Sequence, residues 1–272
     1  MKDTDAGAPQ IAKLHSYDYE IDLNGDNALA YVVAMAGSGR KILELGAGSG
    51  MQTQFLVRDN SVVAADINPE SVEKLRKFTP DALCVDLNAP DWTKALQAYA
   101  PFDTIIAADV LEHLYDPWTT LDAMKSLLAQ DGEIIVSVPY IGNAAILGLI
   151  YDDDFQYRES GLLDKTHIRF FGLRNIVQMY DNAGLKITEA RCVVIPPHQT
   201  EFHAHWNKLP KVVRSALTVG PHSDIYQVVT KTRRAERVSQ PVDLFAAATQ
   251  QCAVKPQPTW RRLASLLRRP RG

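Results

Sequence analysis

Cysteine is scarce and scattered. The chain carries three, Cys84, Cys192 and Cys252, with no C-x-x-C pair, which argues against a disulfide framework or a thiolate zinc site and fits a reducing cytoplasm. Long apolar runs are missing too. The longest, NAAILGLIY, falls well short of the roughly 20 residues that span a bilayer. The first ten residues, MKDTDAGAPQ, hold acids where a secretory leader has its apolar centre, so no leader is expected. No internal repeat is visible. Net charge is only -3 over 272 residues, but it is unevenly spread. Residues 231–272 hold ten Lys or Arg against Glu236 and Asp243, so an acidic body precedes a basic tail. With 46% hydrophobic and 22% charged residues, general disorder is excluded.

What is present is alternation. From Gly25 to Gly184 short aliphatic runs alternate with amphipathic stretches, as strand-helix-strand units around a parallel sheet require. Strands are predicted at KILELG, SVVAAD, ALCVD, FDTIIAAD and GEIIVSVP, then at LKITEARCVVI and IYQVVTKT, seven in all. Helices are predicted over 52–57, 69–77, 92–99 and 117–128, the last stopped by AQDG, and over LRNIVQMYDNAG with Gly184 as its cap. Residues 140–171 break the pattern with a short helix and an aromatic-rich loop, and are a candidate lid. The expected organisation is an N-terminal segment (1–24), an α/β, Rossmann-like doubly wound domain (25–233) and a basic linker and tail (234–272). In that tail Trp260, Leu263, Leu266 and Leu267 recur at helical spacing among Arg261, Arg262, Arg268 and Arg269. Such a helix could touch an anionic membrane surface. An acidic body without a broad basic face makes nucleic acid an unexpected partner.

The stretch KILELGAGSGMQ packs Gly46, Gly48 and Gly50 directly after the first strand. In a doubly wound sheet that turn faces the ligand. Asp66 ends the second strand, 20 residues after Gly46, where a carboxylate accepts hydrogen bonds from ribose hydroxyls. The spacing is G-x-G-x-G, with Met51 where a dinucleotide fingerprint needs glycine, and Glu44 stands two residues before the first glycine, where a pyrophosphate would be repelled. A nucleoside with a positive end fits better. Asp86 ends the third strand where an adenine amino group could be read, with Ile67 and Leu87 as apolar faces for the ring. Taken singly, Asp66, Asp86 and Asp109 would each also serve as a helix N-cap; three on one rim favour a site.

ILELGAGSG, VAADIN, CVDLN and IIAADVLEHLYDP together resemble the consecutive motifs of class I S-adenosylmethionine-dependent methyltransferases, over residues 17–232. The resemblance implies a sheet with a reversed final strand and S-adenosylmethionine as cofactor. It assigns Glu44, Gly46, Ala47, Gly48 and Gly50 to the methionyl and ribose region, Asp66 and Ile67 to the ribose and ring, Asp86 and Leu87 to the adenine edge, and Asp109 to the methionyl end. The segment LDKTHIRFF resembles one found in a bacterial subgroup often acting on sugars, lipids or other small metabolites.

Methyl transfer is an in-line displacement in which alignment does much of the work. A hydroxyl acceptor also benefits from a general base near neutral pKa, which points to histidine. His113, in DVLEHL at the rim, and His167, in the candidate lid, are the catalytic candidates; Asp164 and Arg169 beside His167 are substrate-binding candidates, the latter through its planar fork. Either histidine would equally fit a packing role. His198, Glu201, His203 and His205 lie close in sequence, but a solvated or substrate-flanking helix start is the preferred reading and no metal is expected. The sequence therefore predicts methyl transfer to a small-molecule, sugar or lipid-linked acceptor, at oxygen. The alternatives are a non-catalytic cofactor-binding sensor or assembly subunit and, disfavoured by Met51 and Glu44, an NAD-dependent oxidoreductase.

Overall fold

In the computed structural model, which describes Leu23 and residues 25–253, the seven aliphatic runs pair into one sheet. The strands are β1 (Lys41–Leu45), β2 (Ser61–Asp66), β3 (Ala82–Cys84), β4 (Phe102–Ala108), β5 (Leu128–Pro139), β6 (Leu185–Val194) and β7 (Ile225–Arg234), in the order β3-β2-β1-β4-β5-β7-β6. β1 to β5 are parallel. β7 lies between β5 and β6 and runs antiparallel to both, the reversed final strand the motifs imply. The nine α-helices among the described residues are α1 (Ala28–Ala36), α2 (Thr53–Leu56), α3 (Pro69–Leu75), α4 (Pro117–Met124), α5 (Ala144–Tyr151), α6 (Leu173–Asn182), α7 (His203–Trp206), α8 (Lys211–Leu217) and α9 (Leu244–Ala253).

Successive strand residues face opposite sides of the pleat, and here both sides are covered. Ile42, Val62, Ile106, Ile135 and Val229 meet Val32 and Met35 of α1 and Leu56 of α2. Their neighbours Leu43, Val63, Ile105 and Ile134 face Leu121 of α4, Ile176 of α6 and Leu244 of α9. Burial on both faces explains why these strands read as unbroken aliphatic runs, and each buried aliphatic side chain contributes about 1.5–3 kcal/mol.

Several local expectations are corrected. α1, uniformly apolar and so without a visible period, is an element the alternating pattern did not mark; Asn27 caps it by accepting from Ala30 N at 2.8 Å. Residues 92–99 form two 3-10 turns, Trp92–Ala95 and Gln97–Tyr99, rather than an α-helix. α4 ends at Met124, and AQDG lies within β5 as a bulge, with pairing jumping from Phe102↔Leu128 to Thr104↔Glu133. The start of the expected linker is also structured. Residues 244–253 are α9, which buries Leu244 and Ala248, and Gln251 Oε1 accepts from Cys192 N of β6 at 2.7 Å. Alanine-rich composition reads as low complexity, yet small side chains let this helix lie close against the sheet. The N-terminal segment and the amphipathic tail around Trp260 lie outside the described residues.

Residues 140–171 form α5 and an irregular segment gathered around Ala145, Ile146, Leu149, Leu162, Leu163 and Phe202. Asn143 anchors it: its Oδ1 accepts from Ala145 N at 2.9 Å and its amide donates to Ile225 O of β7 at 2.9 Å. At the far end Ile168 N and Arg169 N both donate to Glu112 O, at 2.9 and 3.0 Å, which fastens the segment to the turn after β4.

Candidate active site

The glycine loop follows β1 at the carboxyl edge of the sheet, where neighbouring crossovers diverge to β2 and β4. Gly46 has φ 65°, and a Cβ there would stand 2.5 Å from Val110 Cγ2; both conformation and space require glycine. At Gly48, φ 56°, a Cβ would meet no protein atom within 4 Å. Its constraint is conformational, and the adjacent space is left for a ligand. Asp66 locks the loop in place. Its Oδ2 accepts from Gly48 N at 2.7 Å and its Oδ1 from Asn68 N at 2.8 Å, which leaves further lone pairs on both oxygens.

A cavity of about 280 Å³ opens beside this loop. Of the residues singled out from sequence, Gly46, Gly48, Asp66, Ile67, Asp86, Leu87, Asp109 and His113 line it. The sequence reading missed Val85, Asn88, Val110, Leu114 and Thr166, which line it too. Asp86 Oδ1 accepts from Asn88 N at 2.8 Å, and Asn88 Oδ1 from Tyr115 N at 3.0 Å, so these polar residues also brace the cavity wall. Glycines that admit a close ligand, a half-engaged carboxylate and the apolar Ile67 and Leu87 fit a nucleoside with its sugar at Asp66.

Glu44, Ala47 and Gly50 do not line the cavity. Glu44 is buried beneath the loop, where its carboxylate accepts from Thr53 Oγ1 at 2.6 Å and Gln52 Nε2 at 3.1 Å and so braces the start of α2. Burial pushes its pKa up to about 7, against the lowering effect of those two hydrogen bonds and with a smaller upward contribution from Asp66. A carboxyl raised in the folded state favours folding fully at pH values below its unfolded pKa, and this advantage is lost as pH climbs through the folded value. Glu44→Gln is therefore expected to gain on the wild type by about 2–3 kcal/mol between pH 5 and pH 8 in urea denaturation. A difference that stays constant across that range would show that Glu44 does not titrate there.

Asp109 and His113 bring further titratable groups to the cavity, with Glu112 and His167 buried behind them. Asp109 follows β4 with φ 55°, an uncommon conformation for a side chain. Its N–H donates to Ser137 O at 3.1 Å, and its Oδ1 accepts from Ser137 Oγ at 2.8 Å and from Gln227 Nε2 of β7. Although it opens on the cavity, enclosure by surrounding protein raises its pKa; those two side-chain bonds and the nearby histidines pull the other way.

His113 ends the 3-10 turn Leu111–His113, with Nδ1 3.2 Å from Thr166 O and 3.1 Å from Thr166 Oγ1. His167 lies behind it, 8% exposed, the two rings edge to face at 4.8 Å. Burial, and then His113, lower the His167 pKa. Glu112, 1% exposed, points its Oε1 to within 4.0 Å of His167 Nε2, and neither carboxyl oxygen has a hydrogen bond. Burial, helped by Asp109, pushes the Glu112 pKa well above the usual carboxylate range. Glu112 went unselected in the sequence reading. Its signal is an acid set between apolar residues in VLEHL, directly before His113.

His167, Asp164 and Arg169 do not line the cavity. Asp164 Oδ1 accepts from Thr166 N at 2.8 Å and Thr166 Oγ1 at 2.6 Å, so it shapes the turn that carries Thr166. Arg169 donates to Ile168 O at 2.9 Å and Tyr115 O at 2.5 Å, with its guanidinium 5.9 Å from the Trp118 ring. Its fork holds backbone carbonyls. The His198 cluster is also dispersed: Glu201 Oε1 accepts from Leu162 N at 2.8 Å, His203 Nδ1 lies 3.1 Å from Thr200 O, and His205 pairs with Asp152 at 3.2 Å.

A family model described as "Methyltransferase domain" matches residues 16–190. Among curated proteins, the chain is 27% identical over 194 residues to a ubiquinone biosynthesis O-methyltransferase of Xylella fastidiosa, covering 60% of this chain and 78% of that protein. It is 24% identical over 180 residues to a tRNA U34 carboxymethyltransferase of Aeromonas salmonicida, covering 64% of this chain and only half of that protein. Among solved structures, a candidate methyltransferase of Bacillus halodurans superposes with a TM-score of 0.54 at 14% identity, over 76% of this chain and 98% of that one. No helix among the described residues is long and apolar enough to cross a membrane. The match over most of the sheet, with the glycine loop and strand-end acids on one cavity, places this chain in the methyltransferase-domain family, as a class I S-adenosylmethionine-dependent methyltransferase.

Proposed function

We propose that the protein methylates a hydroxyl oxygen of a small acceptor. The observation that carries this reading is His113, which lines the cavity together with Asp109 and is backed by the buried Glu112 and His167. The relative named as an O-methyltransferase supports it.

Asp66 would hold the cofactor's ribose hydroxyls, Ile67 and Leu87 its adenine ring, and Asp86 the ring's polar edge, while Asp109 faces the cationic methionyl end. S-adenosylmethionine supplies an electrophilic methyl on a sulfonium, so the acceptor oxygen's lone pair forms the C–O bond as the C–S bond breaks with its electrons left on sulfur. His113 lies where an acceptor hydroxyl can give up its proton, which then passes to solvent; such a base adds roughly 10² to 10⁴ in rate. His167 packs against the His113 ring and holds its orientation. Thr166, bound to both Asp164 and His113, does the same from the other side.

Incubation with S-adenosylmethionine and a panel of phenols, catechols, sugars and lipid-linked hydroxyls should yield S-adenosylhomocysteine and a methyl ether identified by mass spectrometry. Methylation at nitrogen or carbon would overturn the oxygen assignment. Cofactor binding without turnover on any acceptor class would favour a sensor or assembly subunit.

A further inference from the structure

We propose that Glu112, His113 and His167 together bind one divalent first-row transition cation, Zn2+ or a near neighbour, at the wall of the cofactor cavity. The site stands on its own geometry; its consequence for catalysis rests on the O-methyl-transfer reading. One ligand atom from each of the three residues lies within 4.8 Å of the others, the one such group of three or more among the described residues.

The unexplained member is Glu112. A carboxyl group 1% exposed, with neither oxygen hydrogen-bonded, is costly to bury by about 1–3 kcal/mol or more. Its Oε1 lies 4.0 Å from His167 Nε2, too long for a hydrogen bond. A cation between them would supply Glu112 with the partner it lacks.

The imidazoles are arranged to serve as ligands. His167 Nδ1 lies 3.2 Å from Leu162 O, which can only accept, so that nitrogen carries the proton and Nε2 keeps its lone pair. His113 is set in the same way, with Nδ1 3.2 Å from Thr166 O. The neighbouring Thr166 hydroxyl does not reverse this, because it donates to Asp164 Oδ1 at 2.6 Å and is left to accept from the ring. Asp164 and Thr166 thus acquire a purpose: through a carboxylate-hydroxyl relay they fix the His113 tautomer. Outer partners of this kind are usual for metal-bound histidine.

Two imidazoles and one carboxylate favour Zn2+ and its neighbours over Mg2+ or Ca2+, and three protein ligands leave a coordination position open. Bonds of about 2.1 Å place tetrahedral ligand atoms roughly 3.4 Å apart, so separations of up to 4.8 Å need to tighten by up to about 1.4 Å. His113 and Thr166 line the cavity, which puts the open position within reach of an acceptor. There the cation would lower the pKa of an approaching hydroxyl, the task that falls to His113 when no metal is bound.

The test uses the full-length protein, stripped with a chelator and titrated with Zn2+ or Co2+ alone. Elemental analysis and calorimetry should give one ion per chain, Co2+ should develop visible ligand-field absorption, and Zn2+ should raise Tm. Glu112→Gln and His167→Ala should each weaken binding at least about tenfold, while His203→Ala with His205→Ala should leave it intact. Should Glu112→Gln fail to fold, the Co2+ spectrum and the Zn2+ shift in the unaltered protein decide the matter. No binding at millimolar ion, or binding abolished only by the His203 and His205 changes, overturns the proposal. S-adenosylhomocysteine affinity is measured on the same samples: metal absent with that affinity present removes the cation site alone, whereas loss of both removes the cofactor reading as well.

Discussion

Asp66→Ala is expected to weaken S-adenosylhomocysteine binding about 10²-fold or more, as read by calorimetry. The carboxylate receives Gly48 N and Asn68 N at 2.7 and 2.8 Å and is 5% exposed. Hydrogen bonds to a charged group are worth about 1.5–3 kcal/mol each. On the proposed assignment, removal costs the cofactor its ribose acceptor, and it costs the loop the Asp66 contact to Gly48 N, a residue at φ 56°. Loss of only one such bond to the ribose already lowers affinity roughly tenfold to 100-fold, and a loosened glycine turn adds to this. Asp66→Asn separates the two contributions: it keeps an oxygen for one backbone N–H but offers the sugar a poorer acceptor. Unchanged affinity in Asp66→Ala would remove the ribose assignment outright.

His113→Ala is expected to lower kcat by about 10² to 10⁴, with S-adenosylhomocysteine affinity changed less than about tenfold. His113 is the one member of the histidine pair that reaches the cavity surface, so its loss falls on the chemical step. The reading of His113 as proton acceptor and the reading of it as cation ligand both require this loss. Added Zn2+ separates them, because a ligand role makes wild-type turnover depend on the ion while a proton-acceptor role does not. His167→Ala should lower turnover less, through loss of the ring packed against His113 at 4.8 Å. A His113→Ala enzyme with wild-type kcat would move the chemistry away from this wall.

What the sequence revealed well was local. β1 and β2, the G-x-G-x-G turn and Asp66 declare themselves because strand, turn and acid follow one another at a fixed spacing imposed by the crossover. Asp86 and Asp109 were legible for the same reason, each lying just past a strand on the same rim. What stayed hidden depended on packing across distance. Thr166 reaches His113 across 53 positions, and Gln227 reaches Asp109 across 118; no window of sequence contains either pair. Arg169 reads as a substrate grip from its residue type and place, whereas in the fold its Nη1 and Nη2 donate to the carbonyls of Ile168 and Tyr115. Glu44 read as a cofactor contact from its place before the glycines, but the helix start at Gln52 and Thr53 folded back to engage it.

The reversed strand has a consequence for where this enzyme can be divided. The family-model match ends at residue 190, inside β6, yet β7 sits between β5 and β6 and sends Gln227 to Asp109. Cutting where that match ends would strip β5 of its neighbour β7, uncover a row of unpaired backbone groups ready to recruit another chain, and take from Asp109 its Gln227 partner. The stretch matched by the family model and the complete sheet therefore end at different places.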